Sequence, residues 1–153
     1  MSITGETATG QTAERQGWMG LLARAPGARL AALLPDLPAH EVLRPPEIGA
    51  VMVRGRVGGT GAAFNLSEMT VTRCVLRLGC GAVGHAHVQG RDKGHALRAA
   101  VVDALMQTGA AAEVRAGVLA PLAAEEAARR GLRAAKAAAT KVEFFTMVRG
   151  EDQ

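Results

Sequence analysis

The segment GHAHVQGRDKGHALRAAVVDAL, residues 84–105, gathers the side chains best suited to chemistry. His85 and His87 stand two apart in an alternating stretch, so both rings project from one strand face and could clasp a metal ion. A tight site needs three or four ligands with supporting groups, and neither Cys nor carboxylate lies alongside in the sequence. The pair therefore reads as a surface or interface feature, His40 adds nothing to it, and no metal is assigned. The Gly90-Arg91-Asp92-Lys93 turn joins a strand to a helix start, where free backbone N–H groups and the helix dipole favour an anion. Arg91 and Lys93 supply matching charge. The GxxxxGK[ST] spacing of a P-loop is absent, and Asp92 repels an anion unless it is paired. The competing reading makes Asp92 a plain N-cap, with Arg91 and Lys93 in solvent and His95 in the first turn.

Nothing else in the chain suggests self-contained catalysis. There is no Gly-x-Ser-x-Gly elbow, no Cys-His pairing and no carboxylate pair in an apolar setting, and Ser2 and Ser67 are the only serines. No catalytic residue is assigned.

The elements that must position these residues follow from periodicity. The opening dozen residues are small and polar and are expected to be frayed, residues 1–11 above all. From Thr12, as N-cap, a helix carries Trp18, Leu21, Leu22 and Ala25 on one side, and Pro26-Gly27 ends it. A second short helix closes at Pro35 and Pro38. Period-two segments come next: EVLR, a turn at Pro45-Pro46, a strand over 50–57, a break at Gly58-Gly59-Thr60-Gly61, the loop AAFNLSE, then strands over 69–78 and 82–88. This predicts an α+β domain around an antiparallel meander of about four strands. Placing Val51, Val53 and Val57 with Thr72, Cys74, Leu76, Leu78, Ala86 and Val88 on the core side gathers Arg54, Arg56, Arg73, Arg77, His85 and His87 on a basic face. A one-residue slip would scatter it. Asp92 caps a helix from Lys93 to about Gln107 whose apolar residues spread wider than one stripe, so it wants cover on two sides. Pro121 opens an Ala-rich helix to about Thr140, with Glu125–Arg129 and Glu126–Arg130 as pairs, and the β-branched, aromatic tail VEFFTMVRG predicts a final strand.

Length and composition set the outer limits. A chain of 153 residues fits one domain. Aromatics are 3 %, with one Trp, three Phe and no Tyr, so the core must be built from Val, Leu, Met and Ala, and burial against other chains is expected. The basic residues are mostly Arg and the net charge is +4, but without a basic run or interleaved aromatics this does not indicate nucleic acid. No apolar run is long enough for a membrane helix and no signal peptide is recognisable, so a cytoplasmic, non-membrane protein is expected. Cys74 and Cys80 are too few for a disulfide framework, and Cys74 is expected to be buried.

The strings RQGWMGLLA, GGTGAAFNLSEMTVTRCVLRL, VQGRDKGHA, DALMQ and VEFFTMVRG, in this order, resemble the PhnG subunit family of the bacterial carbon–phosphorus lyase system. The likeness runs from the first helix to the C-terminus. It implies a subunit, one of a core complex with PhnH-, PhnI- and PhnJ-type chains, with PhnL- and PhnK-type ATPases associating. The implied reaction transfers the ribose triphosphate moiety of MgATP to an alkylphosphonate with release of adenine, in phosphonate catabolism. Nucleosidase-like chemistry is implied for the PhnI-type partner, and the iron–sulfur cluster and S-adenosylmethionine for the PhnJ-type partner. No cofactor is implied for this chain.

Carried over by position, the family-like residues are Gly58, Gly59, Thr60, Gly61, Phe64, Asn65, Glu68, Thr70, Thr72, Arg73, Cys74, Gly90, Arg91, Asp92, Lys93, His95, Phe144, Phe145 and Arg149. Arg73, Arg91, Asp92, Lys93 and His95 are candidates for anion or partner contact. Gly58, Gly59, Thr60, Gly61, Phe64, Asn65, Phe144, Phe145 and Arg149 are candidates for loop and interface roles. Ser67 replaces an expected Gly, which questions a left-handed backbone there, and His85 and His87 lie outside the pattern. The expected role is structural, in faces completed by other chains, so the isolated chain should be unstable or poorly soluble. The rivals are direct contact of Arg91 and Lys93 with a triphosphate, and a free-standing nucleic-acid binder with steep salt dependence.

Overall fold

Alternation in the middle of the chain and 3.6-residue periodicity on either side produce, among the described residues, a three-stranded antiparallel sheet, order β1-β2-β3, preceded and followed in the chain by helices. The computed structural model describes residues 4–142, with side chains from residue 11 on. Helix α1 spans Thr4–Arg24 and α2 Gly27–Leu33; β1 is His40–Arg56, β2 Ala63–Leu78 and β3 Val83–Gln89. Helix α3 spans Lys93–Leu105, α4 Ala111–Val114 and α5 Ala120–Ala139. Among the described residues no helix is long and apolar enough to cross a membrane. The predicted C-terminal strand lies outside the described residues.

One face of the sheet carries Cys74, Leu76, Leu78, Ala86 and Val88, all buried beneath α3 and α1. Helix α3 is the hub. Its Ala96, Ala99, Ala100, Val101, Val102 and Ala104 are each 0–1 % exposed, and Leu22 and Leu30 close over it from α1 and α2, the two-sided cover that its wide apolar surface requires. Alanines at the α3–β3 contact bring the backbones close together. A Cβ on Gly84 would run into the Ala100 carbonyl oxygen and Ala104. The Cys74 thiol is pushed up by burial, and Cys80 sits exposed in the β2–β3 turn.

Several sequence expectations need correction. Helix α1 begins at Thr4, so Thr12 is interior rather than a cap, and residues 4–11 are helical rather than frayed. EVLR and the following strand are one element: β1 runs through Pro45-Pro46 with register shifts between Val42 and Arg44 and between Arg44 and Glu47. Proline lacks the ladder N–H, which an edge strand tolerates at a bulge; among the described residues β1 is an edge strand. The meander therefore has three strands, not four, and AAFNLSE is mostly strand because it pairs with residues 53–56. The shifts also change the faces. Glu47 pairs with Arg73, Val51 with Met69 and Val53 with Ser67, so Val51 and Val53 share the open face of Arg73, and Val57 is 63 % exposed at the hairpin tip.

Pro121 stands in the first turn of α5, as its fixed φ favours, but helical structure does not begin there. Helical structure is continuous from Ala111, with a wide π-turn at Arg115–Leu119 just before the proline. The proline ring would strike the carbonyl four residues back, and the widened turn accommodates it. Glu125 pairs with Arg29 instead of Arg129, at 2.8 Å, while Glu126 holds both Arg24 and Arg130, each at 2.8 Å. These bridges fasten the first half of α5 to α1 and α2.

The hydrogen bond from Arg24, helped by its charge and that of Arg130, lowers the Glu126 carboxyl below its ordinary range. A carboxyl lowered in the folded state adds stability above its unfolded pKa, and this is lost as pH falls through the folded value. The expected result is that Glu126→Gln shows a shallower acid-dependent decline than the parent, the difference being the part that Glu126 contributes. Urea midpoints across pH 6 to 3 measure the difference.

Candidate functional site

Strand β3 ends at a glycine turn that delivers the chain to α3. Gly90 has φ +91°, a left-handed conformation. Its N–H donates to the Thr70 carbonyl at 2.9 Å, and Thr72 Oγ1 donates to its carbonyl at 2.8 Å, locking the turn onto β2. Asp92 follows as N-cap, with Oδ1 accepting the His95 N–H at 2.9 Å. Its carboxylate is committed to the helix, and Arg91 and Lys93 remain exposed on either side.

His95 goes inward rather than to an exposed contact. It is 4 % exposed, and Nε2 donates to the Leu22 carbonyl at 2.8 Å, tying α3 to α1. The α2 start presses against the same point, where a Cβ on Gly27 would lie 2.6 Å from Asp92 Oδ2 and 3.0 Å from His95 Cβ. Lys93 lines a shallow cleft of about 500 Å³ with Arg44, Pro45, Pro46, Glu47 and Ile48.

The basic face keeps Arg73, Arg77, His85 and His87 exposed, but acids are interleaved with them. The register sets Glu41 opposite Arg77 and Glu47 opposite Arg73. Glu47 Oε2 lies 3.1 Å from Arg44 and 4.0 Å from Arg73. Without the bulge at Pro45-Pro46 this register is not readable from sequence. Among the described residues no group of three His, Cys, Asp or Glu side chains is arranged to hold a metal.

Gly58, Gly59, Thr60 and Gly61 form the tip of the β1–β2 hairpin. Gly58 and Gly59 have φ of +60° and +85°, and a Cβ on Gly61 would meet the Val57 carbonyl oxygen at 2.7 Å, so closing the hairpin accounts for all three glycines. The Phe64 ring lies across Gly55, 3.4 Å from where a Cβ would stand, and Asn65 pairs with Arg54. Strand β3 pairs only as far as Val71 of β2, so the outer hairpin is a two-stranded ribbon. Of the nine exposed large apolar residues among those described, Met52, Val57, Phe64 and Leu66 belong to this ribbon, and Val42, Leu43 and Ile48 lie on the part of β1 that runs beside the three-stranded sheet. Phe144, Phe145 and Arg149 lie outside the described residues.

A buried carboxylate is the residue that sequence reasoning misses. Asp103 is 0 % exposed and accepts from Arg15 Nε at 3.1 Å, Arg15 Nη2 at 2.7 Å, Trp18 Nε1 at 2.9 Å and the His85 backbone N–H at 2.9 Å. It joins α1, α3 and β3. A charged residue inside the apolar run VVDAL is the available signal, because such a group needs partners. Arg15 and Trp18 also line a cleft of about 630 Å³ with Gln107 and Arg115.

The family model described as phosphonate metabolism protein PhnG matches residues 13–150. This chain belongs to the PhnG family. It is 45 % identical over 143 residues to the alpha-D-ribose 1-methylphosphonate 5-triphosphate synthase subunit PhnG of Rhizobium meliloti (strain 1021), with 92 % of each chain covered. At one of the two departures from the expected PhnG pattern, Ser67 sits in β2 opposite Val53, and no described residue other than glycine has a positive φ, so the serine is accommodated as ordinary strand.

Proposed function

We propose that this chain is a subunit of an alpha-D-ribose 1-methylphosphonate 5-triphosphate synthase within the carbon–phosphorus lyase core complex. The observation that carries this is the 45 % identity to the Rhizobium meliloti subunit across 92 % of both chains. In the proposed reaction the phosphonate oxygen replaces adenine at the ribose C1 of MgATP: the glycosidic C–N bond breaks, a C–O bond forms, and adenine departs. The role of the chain is structural. Its buried carboxylate is fully engaged in joining three elements, and its apolar ribbon is an arm for partners to cover. The partners are PhnI-, PhnH- and PhnJ-type subunits, with PhnL- and PhnK-type ATPases associating. The iron–sulfur cluster and S-adenosylmethionine belong to the PhnJ-type chain. Adenine release from MgATP and methylphosphonate, measured with the reconstituted subunits, should require this chain. Turnover by the isolated chain, or equal turnover when it is omitted, would falsify the proposal.

A second reading gives Arg91 and Lys93 direct contact with the substrate triphosphate. It is favoured by their exposure beside a cleft while the Asp92 charge is turned to the cap. The double variant Arg91→Ala, Lys93→Ala separates the two. Normal assembly with at least tenfold weaker nucleotide binding favours substrate contact, and failed assembly favours the interface role.

A further inference from the structure

Helix α5 has two unlike halves. The first is anchored through Leu122, 2 % exposed, and through the bridges of Glu125 and Glu126. From Arg130 to Val142 every residue is exposed. Residues 127–142 contain Arg129, Arg130, Arg133, Lys136 and Lys141 and no Asp or Glu. The formal net charge of the chain is +4, so removing this +5 segment leaves −1. The positive charge of the protein is thus concentrated on one projecting helix end. Arg130 is paired with Glu126, and the other four have no ion-pair partner among the described residues.

The exposed helix also has a seam. Ala128, Leu132, Ala135 and Ala139 recur at steps of four, three and four, the spacing by which one helix packs along another. All four are exposed, Leu132 by 64 %. Alanine at three of the four positions lets another backbone approach closely, and Arg129 and Lys136 flank the seam where a partner's side chains would pass.

We infer that the projecting half of α5 docks against an acidic helix of a partner subunit, whose larger apolar side chains fill the alanine seam and whose carboxylates meet Arg129, Arg133 and Lys136. The inference rests on the proposed role as a complex subunit. Charge complementarity selects the occupant: a second copy would bring the same cationic flank to the interface, and like charges there repel. Membrane insertion needs several bulky apolar residues on the helix, and Leu132 is the only large one in the exposed helical part. Single-stranded nucleic-acid recognition uses aromatic stacking platforms, and residues 127–142 contain no aromatic.

The test co-expresses the full chain with its PhnH-, PhnI- and PhnJ-type subunits and compares the parent with Arg129→Glu/Arg133→Glu/Lys136→Glu and with Ala135→Phe. Circular dichroism melts confirm that both variants fold. The expected result is at least tenfold weaker association for each, together with zero-length carbodiimide cross-links in the parent from Lys136 or Lys141 to Asp or Glu on a partner helix. Undiminished assembly of the folded triple variant overturns the inference and leaves the subunit role intact. Cross-links only between copies of this chain overturn it too, as does loss in the variant of binding to a poly(U) RNA or to phosphatidylserine vesicles with assembly unchanged. A parent chain that joins none of the subunits overturns both readings.

Discussion

Asp103→Ala is expected to lower stability by about 3–5 kcal/mol, the usual consequence of removing one partner from a buried charged network. The carboxylate takes two bonds from Arg15, one from Trp18 and one from the His85 backbone, and it is wholly shielded from solvent. Truncation leaves the indole N–H and the backbone N–H unpaired in the interior. The Arg15 side chain is 34 % exposed, so its charge regains some hydration, and this places the loss toward the lower end of that range. Asp103→Asn should cost less, about 1.5–3 kcal/mol, because one carbonyl acceptor survives while the charge-assisted bonds go. Urea unfolding of the chain, or of its assembled complex, gives the comparison at constant m-value. A loss below about 1 kcal/mol for the alanine variant would mean that the network is not a structural clamp.

Gly84→Ala should cost at least as much as severe overpacking, about 3 kcal/mol, and Gly84→Val should prevent accumulation of folded protein. The site has no room for a methyl group, because the nearest obstacle is the Ala100 carbonyl oxygen in the α3 backbone. A backbone atom cannot rotate aside. Ala104 Cβ and the Ala104 backbone nitrogen, each 2.8 Å from the same point, are further obstacles, so removing only the methyl with Ala104→Gly should not rescue Gly84→Ala. Full rescue would show that β3 and α3 can separate at little cost and that the tight contact does not set the layer spacing.

How much of this was legible beforehand depended on whether each signal was local. The Asp92 cap, the Trp18-Leu22-Ala25 stripe and the burial of Cys74 depend on near neighbours in the chain, and all three appear as expected. The same holds for the α+β class, since the period changes from 3.6 to two and back within single segments. The errors came from long-range pairing. Pro45-Pro46 carries the composition of a turn, and only its place on an edge strand makes it a bulge; misreading it set Val51 and Val53 on the wrong face. Asp103 was missed for a related reason. Its partners stand 88, 85 and 18 residues away in the chain, and no local pattern joins Arg15, Trp18 and His85 to it. His95 looked like a companion of Arg91 and Lys93 because it lies next to them in sequence. The helical turn sends it to the opposite side, into the core.

The two-stranded ribbon beyond Val71 bears on the life of the protein before assembly. Its unpaired edges and greasy side chains are the features that invite cross-strand aggregation and attack by proteases while a polypeptide waits for its companions. Surplus chains should therefore be short-lived in the cell. On the proposed subunit role, the abundance of this polypeptide should follow the supply of the partners proposed to cover the ribbon, and genetic deletion of one of them should lower its level without any change in its own synthesis.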